Sequence, residues 1–374
     1  MTPRKLVGAV ALLTTCGLLA PLAAVADGGP AHRAALARPI PLGTSGGNEQ
    51  DRSRSFCCGG TLGALVEDAR GTLYVLSNNH VLARTNKAAP GEAIIQPGLI
   101  DQQCLADPGD RVATLTRFVP IRFDGTPNHV DAALAASVSG AVDPTGALLD
   151  LGVPSLETLG ASAGLAVAKS GRTTGLTFGT VEVVNVTVDV AYGKSCGQGR
   201  QVARFVDQIF VTPGSFSAGG DSGSLIVEDV GESGVPPRAV GLLFAGSDAG
   251  TLANPIDGVL AATCVAMAGA SSFPDPSPCE SGGGSTGGPP GGKGKPRGAS
   301  LRGFDHAAAV QARHQDRLLS RSGVAGVGIG ADAESQALLE VFVQDASPAL
   351  AREIPDTLEG VKVRVRETGP FAAY

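Results

Sequence analysis

Tryptophan is absent from the 374 residues, aromatic residues make up 4% and charged residues only 17%. There is no excess of positive charge: 29 Lys and Arg stand against 35 Asp and Glu, which excludes a protein built around a basic nucleic-acid footprint. Histidines number five, and no two cysteines have C-x-x-C spacing, so no zinc cluster and no other metal site is expected. After the first 26 residues no segment is long and apolar enough to span a bilayer. What is plentiful is glycine (53) and proline (25), and with so few charges this disfavours long helical bundles and favours turn-rich β structure. A hydrophobic content of 43% is enough to build cores and excludes wholesale disorder, and the length suggests about two domains.

Arg4 and Lys5 precede an apolar run from Leu6 to Val25, and Ala24-Val25-Ala26 forms a small-x-small site. A basic start, an apolar centre and that site read as a secretory signal peptide over 1–26, so the chain is expected to be secreted and extracellular. The alternative is an uncleaved segment, the sole route by which a membrane is expected as a partner. Six cysteines remain after Ala26 (Cys57, Cys58, Cys104, Cys196, Cys264 and Cys279). An even number in an oxidising compartment favours disulfides, with the pairing open except that adjacent Cys57 and Cys58 are not expected to join each other.

Residues 27–55 are polar and read as a flexible lead or short pro-segment. From 56 to 270 short apolar runs alternate with turns, among them Thr61–Val66, Leu73–Leu76, Val112–Val119, Val130–Ala135, Thr180–Val190, Ile209–Thr212, Ser224–Val227 and Ala239–Phe244. Ile256–Met267 reads as one closing helix. The close spacing of short strands predicts a β-barrel or sandwich architecture. Residues 271–298 form a Gly/Pro-rich linker, and 299–374 read as a separate small α/β domain. Within it the pattern predicts a helix over Phe304–Leu319, strands at Val324–Ile329, Ala337–Val343 and Val361–Val365, and a short helix near Leu350.

The strongest chemical signal is Gly219-Gly220-Asp221-Ser222-Gly223-Ser224 followed by apolar Leu225-Ile226-Val227. A serine hydroxyl is a weak nucleophile until a neighbouring base takes its proton, and the developing oxyanion needs backbone N–H donors. Read blandly, the run is a Gly/Ser turn before a strand. His32 falls in the lead, and His306 and His314 fall beyond the linker, which leaves His80 and His129 as candidate bases. His80 follows the apolar run Tyr74-Val75-Leu76. Asp131 sits inside the otherwise apolar His129-Val130-Asp131-Ala132-Ala133-Leu134, where a carboxylate needs a partner; orienting an imidazole would supply one.

The order His80, Asp131, Ser222 with these local contexts resembles the chymotrypsin-like (trypsin-fold) serine peptidases. Lys169-Ser170-Gly171-Arg172-Thr173-Thr174-Gly175 followed by Gly179-Thr180-Val181 is similar to the bacterial secreted branch that contains alpha-lytic protease and the streptogrisins. The resemblance covers Phe56 to Ala270. It implies a mainly β chain with two six-stranded antiparallel β-barrels, the first near 56–140 and the second near 155–265, with the site between them. By resemblance His80 is general base and then acid, Asp131 orients it, Ser222 forms the acyl-enzyme, and the N–H groups of Gly220 and Ser222 form the oxyanion hole. Arg172 is the expected ion-pair partner of Asp221. Phe216, Ala245 and Gly246 are expected to line the substrate pocket, with a small or medium apolar preference because no acid stands at its base. The implied partners are protein or peptide substrates, and the implied chemistry uses no cofactor.

Two departures stand out: Val81 follows His80 where many relatives have Cys, and Ser224 follows Gly223 where they have Gly. The large pro-region usual in the bacterial branch is absent between Ala26 and Phe56, so 299–374 becomes a candidate for assisting folding or inhibiting, or else for binding substrate or a surface. A catalytically silent binding protein and an esterase with the same triad are the alternatives to a secreted serine endopeptidase.

Overall fold

The computed structural model describes residues 30–53, 56–193, 201–275 and 301–374. The expected signal segment and the glycine-rich centre of the linker lie outside these residues, as do Cys196 and Cys279. No helix among the described residues is long and apolar enough to cross a membrane.

The first sheet is built from β1 (Thr44–Asn48), β2 (Gly60–Leu62), β3 (Ala64–Glu67), β4 (Leu73–Ser77), β5 (Ala93–Ile95), β6 (Arg111–Phe118) and β7 (Ala133–Ser137). The pairing runs β2-β1-β5-β6-β7-β4-β3, antiparallel throughout. Since β2 and β3 are two halves of one strand bent at Gly63, the order closes on itself as a six-stranded barrel. Leu65, Val75, Leu76, Ala113, Leu115 and Leu134 of these strands are buried in one shared core.

The second ring comprises β8 (Ala166–Gly171), β9 (Gly175–Tyr192), β10 (Gln201–Thr212), β11 (Leu225–Glu228), β12 (Ala239–Ser247) and β13 (Gly250–Pro255). Each pairs antiparallel with the next in the cycle β8-β9-β10-β13-β12-β11-β8, so this barrel too is closed. Val167, Val181, Ile209, Val211, Ile226, Val240 and Leu243 pack inside. The chain is therefore mainly β, with the two-barrel, trypsin-like architecture that the resemblance implies.

Three expectations need correction here. Residues 27–55 are not simply a flexible lead. Strand β1 pairs on both edges and is wholly buried, because its polar side chains are satisfied internally. Ser45 Oγ donates to Asp101 (2.6 Å), and Asn48 Nδ2 donates to the Leu82 carbonyl (2.8 Å) and to Glu92 (2.7 Å). His32 is buried as well, against Ser170 and Asp150.

The closing helix is shorter than expected. It runs Ile256–Thr263, ends where Cys264 turns left-handed (φ 51°), and the chain continues as β14 (Ala266–Met267), which pairs with β3.

The segment after residue 300 has the expected helix Phe304–Leu319 with β15 (Val324–Ala331), β16 (Ala337–Val343), β17 (Thr357–Leu358), β18 (Val361–Glu367) and β19 (Phe371–Ala373). It is not a separate domain, because β15 pairs antiparallel with the outer half of β9 and extends the second barrel's sheet. Gln311, buried on the helix, exchanges hydrogen bonds with the Asn185 side chain (3.0 Å) and carbonyl (2.8 Å), and Arg366 pairs with Glu182. Phe342 and Phe371 share a core with Val186, Phe205 and Phe210 of the hairpin.

Gly63 marks where the barrels touch most closely. A Cβ there would lie 2.0 Å from the Gly223 carbonyl oxygen and 3.0 Å from that of Leu76, both rigid backbone atoms. Gly63→Ala should therefore lower stability by about 1–3 kcal/mol, the usual cost of overpacking. Urea unfolding of the purified variant reads this directly.

Candidate functional site

His80 enters the cleft on a single helical turn, Asn79–Leu82, that follows β4. The turn is fixed from below: Asn79 Nδ2 donates to the Val119 carbonyl (2.7 Å) and Asn78 Nδ2 to the Asp131 carbonyl (2.8 Å). Asp131 lies just ahead of β7 with no solvent exposure. Its Oδ2 is 2.6 Å from His80 Nδ1, and its Oδ1 accepts from the His80 amide at 3.3 Å. The other candidate base, His129, lies 3.3 Å from Asp207 instead. Of the two, His80 is the imidazole partnered with Asp131.

One partner was not foreseen. Tyr192, at the end of β9, donates its hydroxyl to Asp131 Oδ2 at 2.8 Å. Burial and the adjacent carboxylate hold this phenol well above its ordinary range, so it stays a donor. Its ring meets the His80 ring edge-on at 5.8 Å between centroids. Nothing local marks it in sequence beyond an apolar aromatic at the end of an alternating strand.

Ser222 follows the turn 218–221. Gly220 has φ +97°, and a Cβ there would lie 2.5 Å from Thr173 Oγ1 and 2.7 Å from an Arg172 guanidinium nitrogen, so the loop admits only glycine. Ser222 Oγ lies 3.2 Å from the Phe244 carbonyl oxygen and 3.2 Å from that of Tyr374. His80 Nε2 is 3.1 Å from the same Tyr374 oxygen. One main-chain carbonyl thus sits against both the hydroxyl and the free face of the imidazole. Phe216 is buried in the second barrel's core, and Ala245 and Gly246 lie on β12.

The expected Arg172–Asp221 ion pair is not formed. Arg172 makes a two-pronged pair with Asp101, at 2.7 and 2.6 Å. Asp221 is fully buried and is satisfied by the Thr173 and Thr174 amides (2.8 and 3.2 Å), the Thr174 hydroxyl (2.7 Å) and the Ala218 amide (3.0 Å). Its cationic neighbour is Lys169, Nζ 3.6 Å away and also fully buried. Lys169 projects from β8 straight under the loop, whereas the planar Arg172 fork finds matching carboxylate geometry at Asp101. Burial pushes the Lys169 ammonium down to about 8, with Asp221 opposing the fall.

Beyond Tyr374 a cleft of about 240 Å³ continues past His80, lined by Cys57, Arg84, Lys87, Ile100 and Arg172. Burial pushes the Asp51 carboxyl in its wall up to about 6. Cys57, in the loop before β2, is joined to Cys104 (Cα–Cα 5.5 Å), and Cys58 and Cys264 each take part in a disulfide as well.

No protein-family profile matches the sequence, and no curated protein matches it. Solved structures similar to the chain include a glutamic acid-specific serine protease (22% identity over 61% of this chain and 100% of that one, TM-score 0.40). Thermobifida fusca protease A is similar at 17% identity (62% and 99%, TM-score 0.39). Cellulomonas bogoriensis chymotrypsin is similar at 20% (61% and 97%, TM-score 0.36).

Three outcomes follow from these partners. Combining Lys169→Met with Asp221→Asn should show a coupling of roughly 1 kcal/mol or more in a double-mutant cycle, while Arg172→Ala with Asp221→Asn stays closer to additive. Because the folded Lys169 binds its proton less tightly than the unfolded chain does, its contribution to stability should rise as pH climbs from about 8 towards 10.5. Lys169→Met should lack that slope in urea unfolding across the same range. For Tyr192→Phe, loss of a hydrogen bond to a charged acceptor should cost about 1.5–3 kcal/mol, measured the same way.

Proposed function

We propose that the chain is a secreted serine endopeptidase. The observation that carries this reading is the convergence of Ser222 Oγ and His80 Nε2 on one main-chain oxygen, that of Tyr374, with His80 Nδ1 held 2.6 Å from buried Asp131. In the proposed reaction Ser222 Oγ attacks the carbonyl carbon of the scissile bond and its proton passes to His80 Nε2. The oxyanion is received by the Gly220 and Ser222 amides. Collapse breaks the C–N bond, the leaving amine takes the proton from His80, and the acyl group remains on Ser222. Water then enters along the reverse proton path and releases the carboxylate. Asp131 stays ionised throughout and balances the imidazolium. Tyr192 is a positioning residue for Asp131, acting through it on His80.

Secretion is supported by the basic and apolar start of the sequence and by the disulfides. A peptide rather than a simple ester is favoured because β12, past its pairing with β11, takes an extended chain along its backbone: Ala245 pairs with Ala373, and Gly246 with Ala372. A catalytically silent binding protein would have no need for this complete set of His80, Asp131 and Ser222.

A fluorophosphonate probe should label the chain at Ser222, with labelling lost in Ser222→Ala and reduced at least about 100-fold in His80→Ala. Labelling that persists in Ser222→Ala would refute the assignment.

A further inference from the structure

Resting on the peptidase reading, the position of residues 371–374 gives that site a substrate class. Strand β19 lies between two edges of the second barrel, antiparallel to β12 and parallel to β9, where Phe371 pairs with Val190 and Ala372 with Ala191. The chain then delivers Tyr374 with its carbonyl oxygen 3.1 Å from His80 Nε2 and 3.2 Å from Ser222 Oγ. Residue 374 is thus the one of this segment that lies nearest the nucleophile, with its side chain directed into the second barrel's core beside Phe216.

The pocket suits a tyrosine in three ways. Its base, Phe216, is apolar and buried, and the ring of Tyr374 packs against the barrel core that contains it. The phenol end of Tyr374 lies beside the Ser217 hydroxyl, and Ser217 Oγ is itself 2.6 Å from Thr251 Oγ1. The pocket wall has no side chain where the phenol passes: a Cβ on Gly246 would fall 2.0 Å from the Tyr374 hydroxyl oxygen. Neither sign of charge is welcome. Lys169 Nζ lies 5.9 Å over the Phe216 ring and opposes a cation at the base, while Asp221 and Asp248 face the phenol electrostatically and oppose an anion. This filling favours a ring over the small or medium apolar side chain that the resemblance implies, since an alanine side chain would leave the volume of the ring empty.

We infer that the primary subsite selects tyrosine on the amino side of the cleaved bond, and that the chain's own Phe371–Tyr374 occupies this subsite and must withdraw before another peptide enters. Phe371 anchors the strap in a shared core with Phe210 and Phe342, so the occupant is held by the fold as well as by the site.

The experiment uses the full chain carrying Tyr374→Gly, which empties the pocket and keeps the Phe371 anchor, beside the unsubstituted chain. Fluorophosphonate labelling of Ser222 in Tyr374→Gly is measured first; absence of labelling sinks the peptidase reading and this inference with it. Given labelling, peptides differing only at the residue before the cleaved bond (Tyr, Phe, Ala, Glu, Arg) are compared by kcat/KM. Expected is a gain of roughly tenfold or more over the unsubstituted chain on the Tyr peptide. Tyr should be favoured over Phe by roughly threefold to tenfold through a hydrogen bond at its hydroxyl, and over Ala, Glu and Arg by about 100-fold or more.

Adding Gly246→Val to Tyr374→Gly should abolish the preference for Tyr and leave Ala cleavage in place. As a measurement that needs no further variant, the acetylated tetrapeptide Phe-Ala-Ala-Tyr should inhibit Tyr374→Gly competitively, and Phe-Ala-Ala-Ala at least about tenfold less well. Labelling with unchanged kcat/KM in Tyr374→Gly would overturn the strap. Labelling with cleavage chiefly after Ala, Glu or Arg would overturn the pocket assignment while leaving the peptidase reading intact.

Discussion

The structure depends on the pairing of one long strand. β9 is bonded to β8 along its first stretch, to β10 over most of its length, to β15 across its middle and to β19 near its end. It closes the second barrel at one end and leaves it at the other as a hairpin that overhangs the cleft. Asn185, with φ 54°, divides these duties. Before it the buried residues are Val181 and Val183, and after it they are Val186, Val188, Val190 and Tyr192, so the alternation slips by one residue. Such a slip turns the apolar face to the opposite side of the strand. Val181 thereby serves the barrel interior, while Val183 and the buried residues after Asn185 serve a second core shared with Phe342 and Phe371. Without the slip Tyr192 would not face Asp131.

Two fully buried carboxylates set the electrostatics of the cleft in different ways. Asp131 gathers an imidazole, a phenol and a main-chain amide around its two oxygens, all of them donors. Asp221 is met by three amides, a hydroxyl and a lysine 3.6 Å off. Removal from water is costly for either ion, and the hydrogen bonds offset that cost more than the Coulomb attraction of a single partner does. A consequence for Asp221 is that the loop 218–224 is shaped mainly by backbone donors, with Lys169 as a neighbour. Arg172 is left free to clamp Asp101 and so to join the second barrel to the loop after β5.

Much of this was legible from residue order. The helix Phe304–Leu319 and the strand Ala337–Val343 have the expected bounds, because the helix presents one apolar face and the strand is a nearly unbroken apolar run, buried along its whole length. The glycine-flanked Ser222 and the acid in an apolar run at Asp131 signalled themselves by chemistry that a plain core would not tolerate. Other features were silent for physical reasons. β1, with Thr44, Ser45 and Asn48, is polar and reads as loop; it is buried because partners 34 to 56 residues away in sequence satisfy it. Tyr192 reads as one more apolar residue of a strand, since its role lies in a single hydroxyl. The choice between Lys169 and Arg172 as neighbour of Asp221 turns on side-chain direction within one run, which spacing does not encode. The merging of the last 74 residues into the second barrel's sheet was hidden by the glycine-rich stretch that precedes them.

The insertion of β19 between β9 and β12 has a kinetic meaning. A strand that belongs to the same molecule meets its groove at a fixed local concentration, on the order of millimolar for a tethered segment. Its occupancy is therefore a first-order equilibrium that dilution does not disturb. On the proposed reading, a peptide arriving from solution competes against that constant term and not against other molecules of the protein. The fraction of open clefts is set by the pairing energy of three residues and one phenol ring, and is the same at every protein concentration.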